Sequence, residues 1–133
     1  MGICVGMQMM AKRSEEGSLD GLGWIEGKVK RFDESLGTPV QQLQLPHMGW
    51  NDVSPIKPHA LFDGLEKDSR FYFLHSYFFA TEGQDQILAQ TDYNGAFASS
   101  VHNGNVFGVQ FHPEKSHHWG VRLLKNFAEI AVC

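Results

Sequence analysis

Two short stretches carry residues whose types and spacing can do chemistry. The first is "MGICVGMQ", in which Gly2 and Gly6 stand two residues either side of Cys4. Glycines at those offsets suit a sharp strand-to-helix elbow, where side chains at minus two and plus two would collide around a strained nucleophile. A helix starting at Val5 would aim its N-terminus at the Cys4 thiol and favour thiolate. The backbone N–H of Val5 would face a developing oxyanion. The pattern also fits a buried cysteine in a glycine-rich turn. The second stretch is "GVQFHPEKS". His112 follows an apolar strand at the end where α/β sheets place their chemistry, Pro113 stiffens the turn, and Glu114 stands where it can orient an imidazole nitrogen. A thiol, a base and a carboxylate behind the base are the parts of nucleophilic acyl transfer. That chemistry requires Cys4 and His112, 108 positions apart, to be brought within bonding reach.

The elements that must position these groups are legible in outline. "VGMQMMAKRS", residues 5–14, reads as a helix with Lys12 and Arg13 near its C-terminus. "SEEGSLDGLG" is a loop. "GKVKRF" and "VQQLQLP" alternate with period two, with Val40, Leu43 and Leu45 inward. "ALFDGL" gives a helical turn closed by Gly64. "RFYFLHSYFFA" reads as one buried aromatic strand. "QILAQTDY", "AFASSVHN" and "VFGVQFH" are three more strands, joined by hairpin-type turns at Asn94-Gly95 and 103–105. "SHHWGVRLLKNFAEIAV" is an amphipathic helix with Val121, Leu124, Phe127, Ala128 and Ala131 on the packed stripe. The expected fold class is α/β, a mixed sheet with helices and an antiparallel extension.

Bulk properties fit a soluble globular protein of one domain, residues 1–133. Hydrophobic residues make up 42 % and charged residues 20 %, and the formal net charge is −4. No basic excess points to nucleic acid or an anionic membrane, and no apolar run is long enough to span a bilayer. A cytoplasmic location is the default. Two cysteines, Cys4 and Cys133, make no disulfide framework. A zinc site from Cys4, His112, His117 and His118 has the wrong spacing, so the metal expectation is none.

The cysteine and histidine motifs together resemble the class I (triad) glutamine amidotransferases. The likeness implies a flavodoxin-like fold and no cofactor. It implies hydrolysis of glutamine, with ammonia passed to a synthase partner. "LPHMGWNDV" and "YFLHSYFF" are similar to segments of the glutaminase subunits of imidazole glycerol phosphate synthase, which work as heterodimers with a cyclase subunit. By that resemblance Cys4 is the nucleophile, His112 the base and then acid, and Glu114 its holder. Gln8 contacts the substrate amino acid, and His75, Ser76 and Tyr77 line the glutamine pocket, largely through backbone. Met48, Gly49, Trp50, Asn51 and Lys115 face the synthase. Read without the resemblance, Gln8 is a solvated helix residue, His75 a core histidine and Trp50 a core anchor. The likeness further implies about seventy residues before the nucleophile, where this sequence has three. A chain lacking its N-terminal part and showing little glutaminase activity alone is therefore the expectation. Three alternatives stay open: a paralogous subunit for nucleotide-sugar or surface-polysaccharide synthesis, a non-catalytic partner-binding subunit, and a thiol hydrolase on a related fold.

Overall fold

A computed structural model describes residues 1–32 and 44–130. Ten strands and two helices follow in order: β1 (Gly2–Ile3), α1 (Val5–Gln8), β2 (Arg13–Ser14), β3 (Gly27–Arg31), β4 (His47–Asp52), β5 (Ser54–Pro55), β6 (Arg70–His75), β7 (Tyr77–Thr81), β8 (Ile87–Asp92), β9 (Ala96–Asn103), β10 (Val106–Val109) and α2 (His117–Ile130). Short 3-10 turns occupy Ala60–Phe62 and Pro113–Lys115.

Eight strands form one mixed sheet in the order β1-β10-β9-β7-β3-β2, with β8 on β9 and β5 on β8. The β1/β10 and β2/β3 pairs are parallel, and the other pairs in this sheet are antiparallel. The expected hairpin turns are present: Asn94, Gly95 and Gly104 all take positive φ. Strands β4 and β6 form a separate antiparallel pair. The two faces of the large sheet cover two apolar clusters. Phe97, Phe107 and Val109 join Phe71, Phe73, Phe111 and Leu123 on one side. Phe79, Ala98 and Val101 join Met7, Met10, Ile25 and Val29 on the other.

Four expectations need correction. The first helix ends at Gln8 rather than Ser14. Past Met9 the amides of Met10 and Ala11 tighten to i→i−3 bonds, and the Lys12 N–H goes to the Gly27 carbonyl, so the edge of β3 captures the chain. The carbonyls of residues 9–12 are then satisfied by N–H groups of Gly21, Leu22, Gly23 and Ile25 from the loop folding back. Second, "RFYFLHSYFFA" is two strands in two sheets, broken at Ser76. Third, Val121 is 68 % exposed, Leu124 is 38 % exposed and Ala128 is exposed too, while Ala131 lies outside the described residues. Helix α2 instead packs through Gly120, Leu123 and Asn126, with Phe127 and Ile130 half-buried. Two polar facts choose that face: a Cβ on Gly120 would meet Pro113 O at 1.8 Å, and Asn126 Nδ2 donates to Leu61 O and Asp63 O, both at 2.9 Å. Fourth, the "VFGVQFH" ladder stops at Val109, although the Gln110 N–H still donates across it to Ser99 O, while the His112 N–H turns to Tyr72 O on β6. The strand expected over 40–46 falls mainly outside the described residues; Leu45 is half-buried against the first cluster.

Candidate active site

The elbow is built around Cys4. Its N–H donates to Val109 O at 2.8 Å, which continues the β1/β10 ladder into the turn. Cys4 then takes φ 53° and ψ −109° and caps α1. A non-glycine residue at positive φ is strained, and such strain gathers at functional positions. The two flanking glycines are not equivalent. A Cβ on Gly2 would lie 2.6 Å from the Gly6 carbonyl group, whereas a Cβ on Gly6 would meet nothing within 4 Å. The expected collision at plus two is therefore absent, and the close approach requires glycine at minus two.

Burial pushes the Cys4 thiol pKa up, while the Val5 backbone N–H and the Gln110 amide pull it back down less strongly. A four-residue helix has little dipole to offset burial, so the expected thiolate preference is outweighed. Besides the Val5 N–H, the sulfur has two hydrogen-bonding contacts among the described residues. It donates to Leu74 O at 3.7 Å and accepts from Gln110 Nε2 at 3.7 Å. The His112 imidazole is not one of its partners.

His112 leaves β10 three residues downstream of Val109, so it and Cys4 follow the C-terminal ends of adjacent parallel strands. Its N–H donates to Tyr72 O at 2.9 Å, and its carbonyl accepts from Ser116 Oγ at 2.6 Å. Ser116 Oγ also accepts from the Tyr72 N–H at 3.0 Å. The turn that holds Glu114 is thus tied to β6 on one side and pressed by Gly120 on the other. Glu114 Oε1 sits 2.7 Å from His112 Nδ1. The carboxylate accepts from that nitrogen and fixes the tautomer, which leaves Nε2 to exchange protons.

A cavity of about 410 Å³ is lined by Cys4, Val5, Gln8, Glu16, Arg31, Leu74, His75, Ser76 and Tyr77. It brings together the predicted nucleophile and every predicted substrate residue, but neither His112 nor Glu114 lines it. Gln8 is buried, unlike a solvated helix residue, and its Nε2 donates to Tyr77 O at 3.2 Å and Gln110 Oε1 at 3.1 Å. His75 is buried, as a core histidine would be, and also lies on the cavity wall. The predicted partner residues form a separate surface. Met48 and Trp50 are 65 % and 37 % exposed on the outer face of β4/β6, opposite Leu74 and Tyr72. Trp50 stacks on His117 at 5.2 Å and meets Trp119 edge-on, so it is no core anchor. Lys115 lies over the Tyr72 ring. Gly49 and Asn51 complete the strand; Asn51 points inward to His47 and Asp92 O. His118 packs against Trp119.

Sequence reasoning passed over four residues. Gln110 and His47 stand inside quoted motifs, each a buried polar letter in an apolar run. Arg31 and Glu16 reach the cavity from a strand and a loop that carried no motif.

A strained cysteine elbow ending one strand beside a parallel strand that leads into a histidine–carboxylate pair defines a class of enzymes. The family model for class-I glutamine amidotransferases matches residues 1–131, and the chain belongs to that family. Within it, the chain is 55 % identical over 130 residues to the imidazole glycerol phosphate synthase subunit HisH of Bdellovibrio bacteriovorus, covering 98 % of this chain and 63 % of the relative. It is 51 % identical to the HisH subunit of Leptospira interrogans, with the same coverage. The chain thus spans about three-fifths of the length of these relatives. Solved structures share the fold. A chain from Thermoplasma acidophilum superposes with TM-score 0.68 at 22 % identity, covering 97 % of this chain and 55 % of that one. A glutamine amidotransferase from Thermotoga maritima gives 0.61 at 18 % identity, covering 97 % and 46 %.

Proposed function

We propose that this chain carries the nucleophile, base and orienting carboxylate of a glutaminase subunit that supplies ammonia to a synthase or cyclase partner forming imidazole glycerol phosphate in histidine biosynthesis. The observation that carries the reading is the pairing of the Cys4 elbow with β10, the strand that runs on into His112 and Glu114. Cys4 sulfur attacks the side-chain amide carbon of glutamine, and the Val5 N–H stabilises the tetrahedral oxyanion. His112 takes the Cys4 thiol proton as the sulfur attacks and hands it to the departing ammonia, leaving a glutamyl thioester. Water, deprotonated by His112, then adds to the thioester and expels the thiolate with glutamate. His112 reaches the sulfur by a side-chain rotation or through one water, since hydrogen bonds of this kind tighten when substrate binds. Glu114 keeps the imidazole in the tautomer both steps require.

The cavity suits an α-amino acid. Arg31 and Glu16 put one charge of each sign on its wall, as a zwitterion needs. Gln8 has both amide hydrogens committed to protein acceptors, so its carbonyl is the end that faces a substrate ammonium. The bend 75–77 presents backbone groups to the ligand. The exposed Met48–Trp50 face and Lys115 form the surface for a heterodimer partner, with no nucleic acid or membrane role, and the complex works in the cytoplasm. Relatives that are HisH subunits favour this pathway over the polysaccharide paralogue.

The test is incubation with a glutamine-analogue electrophile, followed by peptide mass analysis. Cys4 should be labelled, and His112→Ala should suppress labelling. Equal labelling of both proteins overturns the triad reading. Ammonia release with and without the cyclase partner then decides the pathway.

A further inference from the structure

One unbroken series of hydrogen bonds runs from strand β4 to the sulfur. Asn51 Nδ2 lies 3.2 Å from His47 Nε2. His47 Nδ1 lies 2.9 Å from His75 Nε2, and His75 Nδ1 lies 2.7 Å from Tyr77 O. The same carbonyl accepts from Gln8 Nε2, which also donates to Gln110 Oε1, and Gln110 Nε2 reaches Cys4.

The polarity of every link is fixed by groups that cannot reverse. Asn51 must turn its NH2 inward, because Asp92 O accepts from it at 3.0 Å and the Asp52 N–H takes its oxygen at 2.8 Å. His47 Nε2 is therefore an acceptor and its Nδ1 carries the hydrogen. His75 Nε2 accepts that hydrogen, so its own Nδ1–H points at the Tyr77 carbonyl. A carbonyl takes donors alone, so Gln8 also presents its NH2 there. Its second hydrogen selects the oxygen of Gln110, which leaves the Gln110 NH2 against the sulfur. His47 is clamped between Phe73 and Tyr93, with ring centroids at 4.7 and 3.9 Å, and is buried, as are His75 and Gln110. Burial keeps both rings neutral, as the series requires.

We propose that His47 is a positioning residue for the Cys4 nucleophile: through His75, the Tyr77 carbonyl and Gln8 it holds Gln110 with its N–H donor, rather than its carbonyl, on the sulfur. Without His47 only the Tyr77 carbonyl still selects the Nδ1–H form of His75, and Nε2 loses its donor. The Nε2–H form then becomes more populated, turns a lone pair on the Tyr77 carbonyl and loosens the Gln8–Gln110 register. An N–H on the sulfur favours thiolate, and a carbonyl there disfavours it. The inference rests on Cys4 being the nucleophile proposed above, but its tests need no turnover.

Long-range proton–nitrogen NMR on the full chain at pH 7 should find both His47 and His75 in the Nδ1–H form. An Nε2–H form on either ring overturns the proposal. Iodoacetamide alkylation of Cys4, read on its own peptide apart from Cys133, should slow about threefold or more in Gln110→Leu and in His47→Phe. His47→Asn, which keeps a donor where Nδ1 stood, should recover most of the rate. A folded His47→Phe protein alkylated at the unaltered rate, or His47→Asn slowed as much as His47→Phe, overturns it. Should His47→Phe fail to fold, the tautomers and Gln110→Leu decide. If the alkylation pattern holds but the glutamine-analogue electrophile leaves Cys4 unlabelled, the glutaminase reading falls and the positioning role stands.

Discussion

Glu114 Oε1 and His112 Nδ1 are 2.7 Å apart, joined across a 3-10 turn that Pro113 opens. Their spacing of two residues makes the pair nearly self-assembling. It becomes useful once the turn is fastened to Tyr72, Ser116 and Gly120. Glu114→Gln keeps the shape and loses the charge that steadies an imidazolium. It should lower the turnover of the complex with its partner by about 10²–10⁴-fold. Ammonia release measured at saturating glutamine checks this, and a loss under fivefold would remove Glu114 from the mechanism.

The glycines around Cys4 should separate on substitution. Gly2→Ala forces a Cβ onto the Gly6 backbone and should destabilise the fold by about 1–3 kcal/mol. Gly6→Ala enters open space inside a helix and should be neutral or stabilise by up to about 1 kcal/mol. Urea midpoints of the two variants provide the comparison.

Gly120→Ala should be among the most damaging single-methyl additions. The new Cβ would strike Pro113 O at 1.8 Å, a backbone atom of the very turn that presents Glu114. A loss of about 3 kcal/mol or more is expected, together with loss of the His112–Glu114 contact. Thermal unfolding and the His112 imidazole nitrogen shifts report the two effects separately.

Acid should begin to weaken the protein as pH falls below about 6.5. Burial holds His75 down at about 4 and His47 down at about 3, from an ordinary 6.5. Unfolding releases both rings to bind protons near 6.5. Between about pH 6.5 and 4 the unfolded chain therefore carries more protons than the folded one, and stability rises with pH there. The contribution is complete above about pH 6.5, falls as pH drops through 4, and amounts to roughly 3 kcal/mol for His75 alone. Urea unfolding at pH 7.5, 6 and 4.5 should trace this decline. His75→Phe should flatten it.

Trp50→Ala should change unfolding stability by about 1 kcal/mol or less, since the ring is partly exposed, whereas Phe73→Ala should cost about 3–5 kcal/mol. If the β4/β6 face docks a partner, Trp50→Ala should weaken that complex tenfold or more. Calorimetric titration with the cyclase subunit measures it.

Much of this was readable from the letters. Period-two runs and Asn-Gly turns located β3, β8 and β9, because alternation and positive-φ turns are local properties. The Cys4 and His112–Glu114 motifs were legible because strain and short sequence separation leave local marks. What escaped was decided by contacts distant in sequence. The break at Ser76 is invisible in an aromatic run that satisfies two sheets at once. The packed face of α2 is hidden in the sequence because Gly120 and Asn126 do not look like core letters. Their role comes from Pro113 O and from the carbonyls of a turn some sixty residues earlier. Gln110 and His47 hid for the same reason, as their partners lie on other elements. The direct Cys4–His112 bond expected from the motifs is replaced here by Leu74 O and Gln110.

The bend at Ser76 joins a strand of the small sheet to one of the large sheet, and its neighbours wall the cavity. One three-residue seam thus holds the architecture together and walls the cavity proposed for glutamine. On that proposal, genetic variants at 75–77 will look alike in a living cell, where scarce protein and unbound glutamine give the same growth defect. Separating them calls for counting molecules before comparing phenotypes.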